Sequence, residues 1–250
     1  MTFARDCLAG RRIVVSGASS GLGKATAIAL AGVGAELVLL GRSDNRLEEV
    51  GRAAGARSWH SVDLSDDNAA EAILREVAGK APIDGLFHSA GTSAVMPIRL
   101  TKTAQIDDLF GAAVYGSLGF ARAISRKGVM RDGGAAVLMS SVSALRGRKG
   151  MVAYSSAKAA TSGLVRALAI ELADRNIRVN SIAAGAIETE MHEQFVATAT
   201  DDVVAGYRQL HPLGFGKPAD LANAVIFLLS DASRWITGIE LSIDGGYAAK

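Results

Sequence analysis

Tyr154 and Lys158 stand four residues apart in the run Tyr154-Ser155-Ser156-Ala157-Lys158, a spacing that puts both side chains on one face of a helix. A free tyrosine titrates at about pH 10. A lysine ammonium beside it favours the phenolate, which makes its proton easier to exchange at neutral pH. Alone, the pair is equally consistent with a solvated lysine beside a half-buried tyrosine. The serine pair Ser140-Ser141, which ends an apolar run upstream, adds a hydroxyl. Ser141 can bind an oxygen on which charge develops. The three side chains suit a carbonyl: a hydride reaches carbon, and Tyr154 supplies a proton to oxygen. Alcohol oxidation is the reverse.

Hydride chemistry needs a donor, and a second motif supplies a place for one. The turn Ser16-Gly17-Ala18-Ser19-Ser20-Gly21-Leu22-Gly23 follows the first apolar run and opens a helical pattern. Gly17 takes the tight turn, and Gly21 and Gly23 let the backbone approach a pyrophosphate. The amides of the first helical turn, around Ser19, Ser20, Gly21 and Leu22, face the phosphates. A carboxylate at the end of the second strand would bind ribose hydroxyls and repel a 2′-phosphate. The chain has Leu40-Gly41-Arg42 there, so Arg42 offers a planar cation to a phosphate. NADP(H) is expected over NAD(H), although Asp44 nearby keeps NAD(H) open. Asp63, followed by Leu64, stands where an adenine amino group could be met. Asp63, Ser65 and Asp66 are also all candidates for capping the next helix.

These motifs sit on an alternation of strand-length apolar runs and longer helical patterns, the mark of a parallel sheet. Strands are expected at Arg12–Ser16, Glu36–Leu40, Ser58–Val62, Gly85–Ser89, Ala135–Ser140, Arg178–Ala183 and Glu240–Ile243. Helices are expected near Gly21–Gly32, Asp44–Ala54, Asp67–Ala78, Ala104–Val129, Val152–Ala173 and Pro218–Leu229. Several strands are apolar without alternation, as when helices cover both faces. No linker or repeat divides the 250 residues, so one α/β domain is expected. The segment 187–215 breaks the rhythm at the carboxyl edge of the sheet and is expected to be a substrate lid with a short helix or two.

With these residues in place, the chain resembles the short-chain dehydrogenase/reductase family over nearly its whole length. The glycine pattern of that family matches Gly17, Gly21 and Gly23, and its active-site triad matches Ser141, Tyr154 and Lys158 in type and spacing. The resemblance implies a Rossmann-type doubly wound sheet of seven parallel strands and a homo-oligomer, tetramer or dimer. It implies that Lys158 binds the nicotinamide ribose. Gly185, Ile187 and Thr189 match the segment that holds the carboxamide, and Ala90 and Gly91 match the end of a motif after the fourth strand. That motif departs from the family: His88-Ser89 replaces two asparagines. His88 is expected to be a buried, hydrogen-bonded brace rather than a catalytic group. An active-site asparagine that supports a water relay to the lysine aligns with Ala113. Tyr115 and Ser117 are not placed to replace it. Ala184 stands in place of a proline.

Composition narrows the alternatives. Hydrophobic residues make up 49% and charged residues 21%, and the net charge is +2. A sizeable core is affordable, and no basic excess points to nucleic acid. Cys7 is the one cysteine, so no internal disulfide forms and a reducing compartment is the default. No signal peptide or membrane span is read from the chain, so a cytoplasmic location is expected. The loop Arg146, Arg148, Lys149 is either a solvated turn or an attractor of an acidic substrate group. Trp59 and Trp235 are expected in the core or at an interface. His192 and His211 fall in the lid without metal spacing. A ketone reductase leads. A nucleotide-binding protein with weak or no redox activity, motivated by Ala113 and His88, and an epimerase are the competing functions.

Overall fold

The computed structural model describes residues 3–249, apart from the side chains at 191, 194, 195 and 198. Strand β1 (Arg12–Ser16) runs through the glycine turn into α1 (Gly21–Ala31). Next come β2 (Glu36–Gly41), α2 (Asp44–Ala54), β3 (Ser58–Ser61) and α3 (Asp67–Lys80). After β4 (Ile83–His88), helix α4 (Thr103–Phe110) passes through a π-helical stretch (Gly111–Gly116) into α5 (Ser117–Ser125). The chain continues with β5 (Met130–Ser141), α6 (Val152–Glu171), β6 (Arg178–Ala184), α7 (Glu190–Thr198), α8 (Asp201–Gln209), α9 (Pro218–Leu229) and β7 (Glu240–Ile243). The seven strands form one parallel sheet in the order β3-β2-β1-β4-β5-β6-β7. The order reverses between β1 and β4, and such a reversal opens a crevice beyond the carboxyl ends of the strands.

The unalternating strands have the expected cause. In β1, Val15 belongs to a core layer with Phe87, Leu39, Leu30 and Val225, on the side of α1 and α9. Its neighbour Val14 belongs to the opposite layer, with Val38, Leu86, Phe120 and Val165, on the side of α3, α5 and α6. Successive positions at the middle of β1 therefore bury apolar side chains on both faces of the sheet, each worth about 1.5–3 kcal/mol when fully covered. No helix among the described residues is long and apolar enough to cross a membrane.

The clearest difference from expectation is the pattern 104–129, which is not one helix. It is broken by the π-helical stretch and ends at Ser125, and Met130 already pairs with Ile83. The cause is close packing against the segment after β3. A Cβ at Gly116 would collide with the Leu64 carbonyl oxygen, and one at Gly111 would come within 2.8 Å of the Ser65 Cβ. Only glycine lets this helix lie so near that backbone, and the extra residue of the π-turn re-aims the helix beyond it. Strand ends also differ by small amounts: β4 starts at Ile83, β5 at Met130 with an irregularity opposite Ile83/Gly85, and β6 runs on through Ala184. A proline at 184 would lack the amide that a strand offers. Trp59 is half-buried and lies against Gly51, whereas Trp235 is 95% exposed and has no place in the core.

Helix α3 is capped by Asp66, whose carboxylate accepts from the amides of Asn68 and Ala69 at 2.8 and 3.2 Å. Asp63 is thereby released from that role. Asp66→Ala is expected to cost about 0.5–2 kcal/mol of stability in urea denaturation. An unchanged midpoint would show that the cap contributes nothing.

Candidate active site

Two adjoining cavities lie along the carboxyl edge of the sheet. The first, of about 370 Å³, is lined by Gly17, Ser19, Ser20, Gly21 and Leu22 from the glycine turn. Arg42, Asp63, Leu64, Ala90, Gly91 and Thr189 complete the set expected there from the sequence. Gly23 does not line it. Its role is packing, since a Cβ there would collide with the Gly17 carbonyl oxygen. Gly17 has φ +66° and passes so near the segment after β4 that a Cβ would sit 2.8 Å from the Ala90 amide nitrogen. No side-chain bond from Ser20 caps α1, and its first turn holds no acidic residue. Those amides are left for an anion. Gly41 places no carboxylate at the end of β2, and Arg42 is exposed on the wall, while Asp44 does not line the cavity. Asp63 accepts from the Ser65 amide and hydroxyl at 3.0 and 2.8 Å. These bonds, with help from the Arg42 charge, hold its carboxyl below the usual range despite partial burial. Val62, Ser65, Thr92 and Asp108 also line this cavity. Their signal in the sequence is only adjacency to Asp63 or Gly91, or, for Asp108, none.

The second cavity, of about 330 Å³, holds Ser141, Tyr154 and Lys158 together and is also lined by Gly185 and Ile187. Ser141 reaches the edge because β5 pairs with β6 in the register Ser141↔Ala184. Its hydroxyl accepts from the Ser143 amide at 3.2 Å and hydrogen-bonds the Tyr154 phenol. Lys158 is buried, its Nζ 5.8 Å from the centre of the Tyr154 ring and 3.0 Å from the Met139 carbonyl oxygen, to which it donates. Burial brings the lysine down to about 8. The expectation that the ammonium lowers the phenol needs correction. Burial raises the Tyr154 phenol, the Ser141 bond opposes this, and a charge on Tyr207 would raise it further. Lys158 is not among the causes that set the phenol. Tyr154 therefore holds its proton at neutral pH, the form that a general acid requires.

The segment 187–215 contains α7 and α8, and its two ends are tied by a bridge between Ile187 and Gly216. The bonds are Gly216 N–H to Ala186 O at 3.0 Å and Glu188 N–H to Gly216 O at 2.8 Å. His192 lines the second cavity. His211 is buried instead. Its Nε2 accepts from the Ala186 amide at 3.1 Å, so Nδ1 carries the proton to the Tyr207 carbonyl at 3.0 Å. The ring also stacks near Tyr247, 4.8 Å away. Tyr207 and Tyr247 both face the cavity. Nothing local in the sequence marks them, because they come from the segment 187–215 and from the end of the chain. The Asp244-Gly245-Gly246 turn seats Tyr247: the Asp244 carboxylate accepts from the amides of Gly246 and Ala248.

A family model described as enoyl-(acyl carrier protein) reductase matches residues 17–248. A galactitol 2-dehydrogenase from Cereibacter sphaeroides is 34% identical over 247 residues, covering 96% of this chain and 96% of its own. A short-chain dehydrogenase/reductase from Serratia marcescens superposes with a TM-score of 0.88 at 28% identity, covering 96% and 99% of the two chains. The chain belongs to the short-chain dehydrogenase/reductase family. A further solved structure, a blue fluorescent protein from a metagenomic library in complex with NADPH, matches with a TM-score of 0.89 at 27% identity. It covers 96% of this chain and 99% of its own.

Within this short-chain dehydrogenase/reductase the departures at 88 and 113 are structurally linked. His88 is buried, with Nε2 2.7 Å from the Ala112 carbonyl oxygen and Nδ1 2.5 Å from the Ser16 hydroxyl. A carbonyl only accepts, so Nε2 carries the proton and Nδ1 accepts from Ser16. The Ser16 oxygen in turn accepts from the Ser89 amide at 3.2 Å. His88 is thus a brace between β1, β4 and the π-turn. Ala113, the next residue along that turn, is buried behind Gly91: a Cβ at Gly91 would meet the Lys158 Nζ at 3.5 Å and the Ala113 Cβ at 3.9 Å. Tyr115 is 43% exposed, and Ser117 spends its hydroxyl on the Ala113 carbonyl at 2.6 Å. Neither side chain takes the place of an amide at 113.

Burial holds His88 neutral down to about 4. The unfolded chain, titrating at 6.5, then takes up the proton first. Its contribution to stability is complete above pH 6.5 and is lost as the pH falls toward 4. Replacing it by the family's residue, His88→Asn, should flatten that window by up to about 3 kcal/mol. Denaturation curves across it check this, and parallel pH profiles for the two proteins would refute it.

Proposed function

We propose that this chain is an NADP(H)-dependent oxidoreductase that interconverts a ketone and a secondary alcohol. The observation that carries the proposal is the meeting of Ser141, Tyr154 and Lys158 in one cavity beside the glycine-lined groove. The groove fits a phosphorylated dinucleotide: open amides at α1, no carboxylate at Gly41, and Arg42 on the wall. When bound, the nicotinamide supplies or accepts the hydride. The remaining work belongs to the chain. Ser141 donates a hydrogen bond to the carbonyl oxygen as charge gathers on it. Tyr154, protonated, passes its proton to that oxygen. Lys158, buried beside Tyr154, orients the cofactor ribose.

Gly185, Ile187 and Thr189 are proposed to hold the carboxamide, and residues 187–215 to close over the substrate as a lid within a single catalytic domain. NADPH in a structural neighbour supports the cofactor class, and Arg42 supports the phosphorylated form. A homo-oligomer, tetramer or dimer, also belongs to the proposal. The exposed Trp235, Ile170 and Leu118 are apolar surface of the kind that an interface covers.

Arg42→Ala should weaken NADPH by about 10–100-fold, the loss of a charge-assisted contact, with a much smaller effect on NADH. Cofactor titration by fluorescence reads this, and equal losses for the two cofactors would remove the assignment. Tyr154→Phe should retain NADPH binding and lose about 10²–10⁴-fold in turnover across a ketone panel followed at 340 nm. An active Phe variant would overturn the mechanism.

A further inference from the structure

The charge of the second cavity is one-sided. No Asp or Glu among the described residues lines it; Lys158 and Arg148 do, together with His192, Tyr154, Tyr207 and Tyr247. Lys158 is committed to Met139. Arg146, two residues before Arg148, does not line the cavity. It donates to the Tyr247 carbonyl at 2.7 Å and lies 5.2 Å from that ring.

Arg148 differs. It is half-buried in the wall, with its guanidinium carbon 4.3 Å from the centre of the Tyr207 ring and a hydrogen bond to the Tyr207 side chain. Its carbonyl receives the Met151 amide at 3.1 Å. Eight other arginines, Arg11 and Arg175 among them, meet a carboxylate, whereas the ion pairs of the described residues give none to Arg148, as they give none to Arg42 or Arg146. A guanidinium over an aromatic face still presents N–H donors at its edge, in a fork that fits a carboxylate. The same cavity is also lined by the apolar side chains of Val95, Met139, Met151 and Ile187.

We propose that Arg148 determines specificity by binding a carboxylate of the substrate, so that the carbonyl presented to Ser141 and Tyr154 belongs to an oxo acid with an apolar chain. This rests on the ketone-reductase function proposed above. It adds the class of substrate and gives Tyr207 a role, holding the guanidinium face so that its edge meets the anion.

The test compares linear oxo acids of rising chain length with their methyl esters, using NADPH and the full chain. At the best length, kcat/KM should favour the acid by about 10–100-fold, the range of a charge-assisted pair. Arg148→Gln should shrink that ratio by a similar factor, mainly through KM, and Arg148→Lys should keep part of it. Acid and ester reduced equally well, or a ratio that survives Arg148→Gln, would overturn the inference while leaving the reductase intact. Calorimetric binding of the matching hydroxy acids and their amides gives a readout without turnover. Acid-selective binding that is lost in Arg148→Gln supports the anion site even if no ketone is reduced, an outcome that would remove only the reductase function. Equal binding of acid and amide would overturn the anion site.

Discussion

The buried contact between Ser16 and His88 joins the two strands at which the sheet reverses its order, and the site is assembled around that seam. On one side of it the chain enters the glycine turn; on the other it enters Ser89-Ala90-Gly91. Gly17 passes within van der Waals limits of Ala90 only because it lacks a side chain. The outer nitrogen of the same imidazole fastens the π-turn through Ala112. A buried hydrogen-bonded group of this kind is costly to leave unsatisfied, so three separate segments are held to one geometry. An imidazole does here what an amide does in the family pattern, and its burial keeps it neutral enough to do so.

From that seam the two cavities take different characters. The first is walled by backbone and by short polar side chains, which suits phosphates met by amides. The second is walled by methionine, valine and aromatic carbon around a few hydroxyls, which raises the phenol of Tyr154 and lowers the ammonium of Lys158. Both shifts have one cause, the exclusion of water. They leave a protonated acid beside a cation whose proton is less tightly held. Ala113 lines neither cavity and packs in a small apolar cluster with Leu109, Val114 and Ala157.

The segment 187–215 and the end of the chain complete the second cavity from outside the sheet. His211 reaches back to the Ala186 amide, Tyr247 stacks against it, and Arg146 and Arg148 divide between Tyr247 and Tyr207. The bridge between Ile187 and Gly216 closes the excursion into a loop with a narrow neck.

The amino-acid sequence by itself determined the parallel α/β sheet, the glycine turn and the Ser141–Tyr154–Lys158 set. Each depends on short-range rules: the periods of helix and strand, the reach of a residue without a side chain, and the four-residue repeat of a helical face. Asp44–Ala54 and Pro218–Leu229 were legible to the residue for the same reason. What tertiary structure decided is everything that depends on distance along the chain. The helix expected over 104–129 broke because Gly111 and Gly116 press against a segment some fifty residues earlier. Asp66 rather than Asp63 became the cap, and the proton of His88 settled on Nε2 because Ala112 faces it. Of two similar arginines one was spent on Tyr247 and the other left on the cavity wall, and Trp235 was left outside the core. Local periodicity says which face a side chain takes, but partners, burial and hence protonation are set by what the rest of the fold brings against that face.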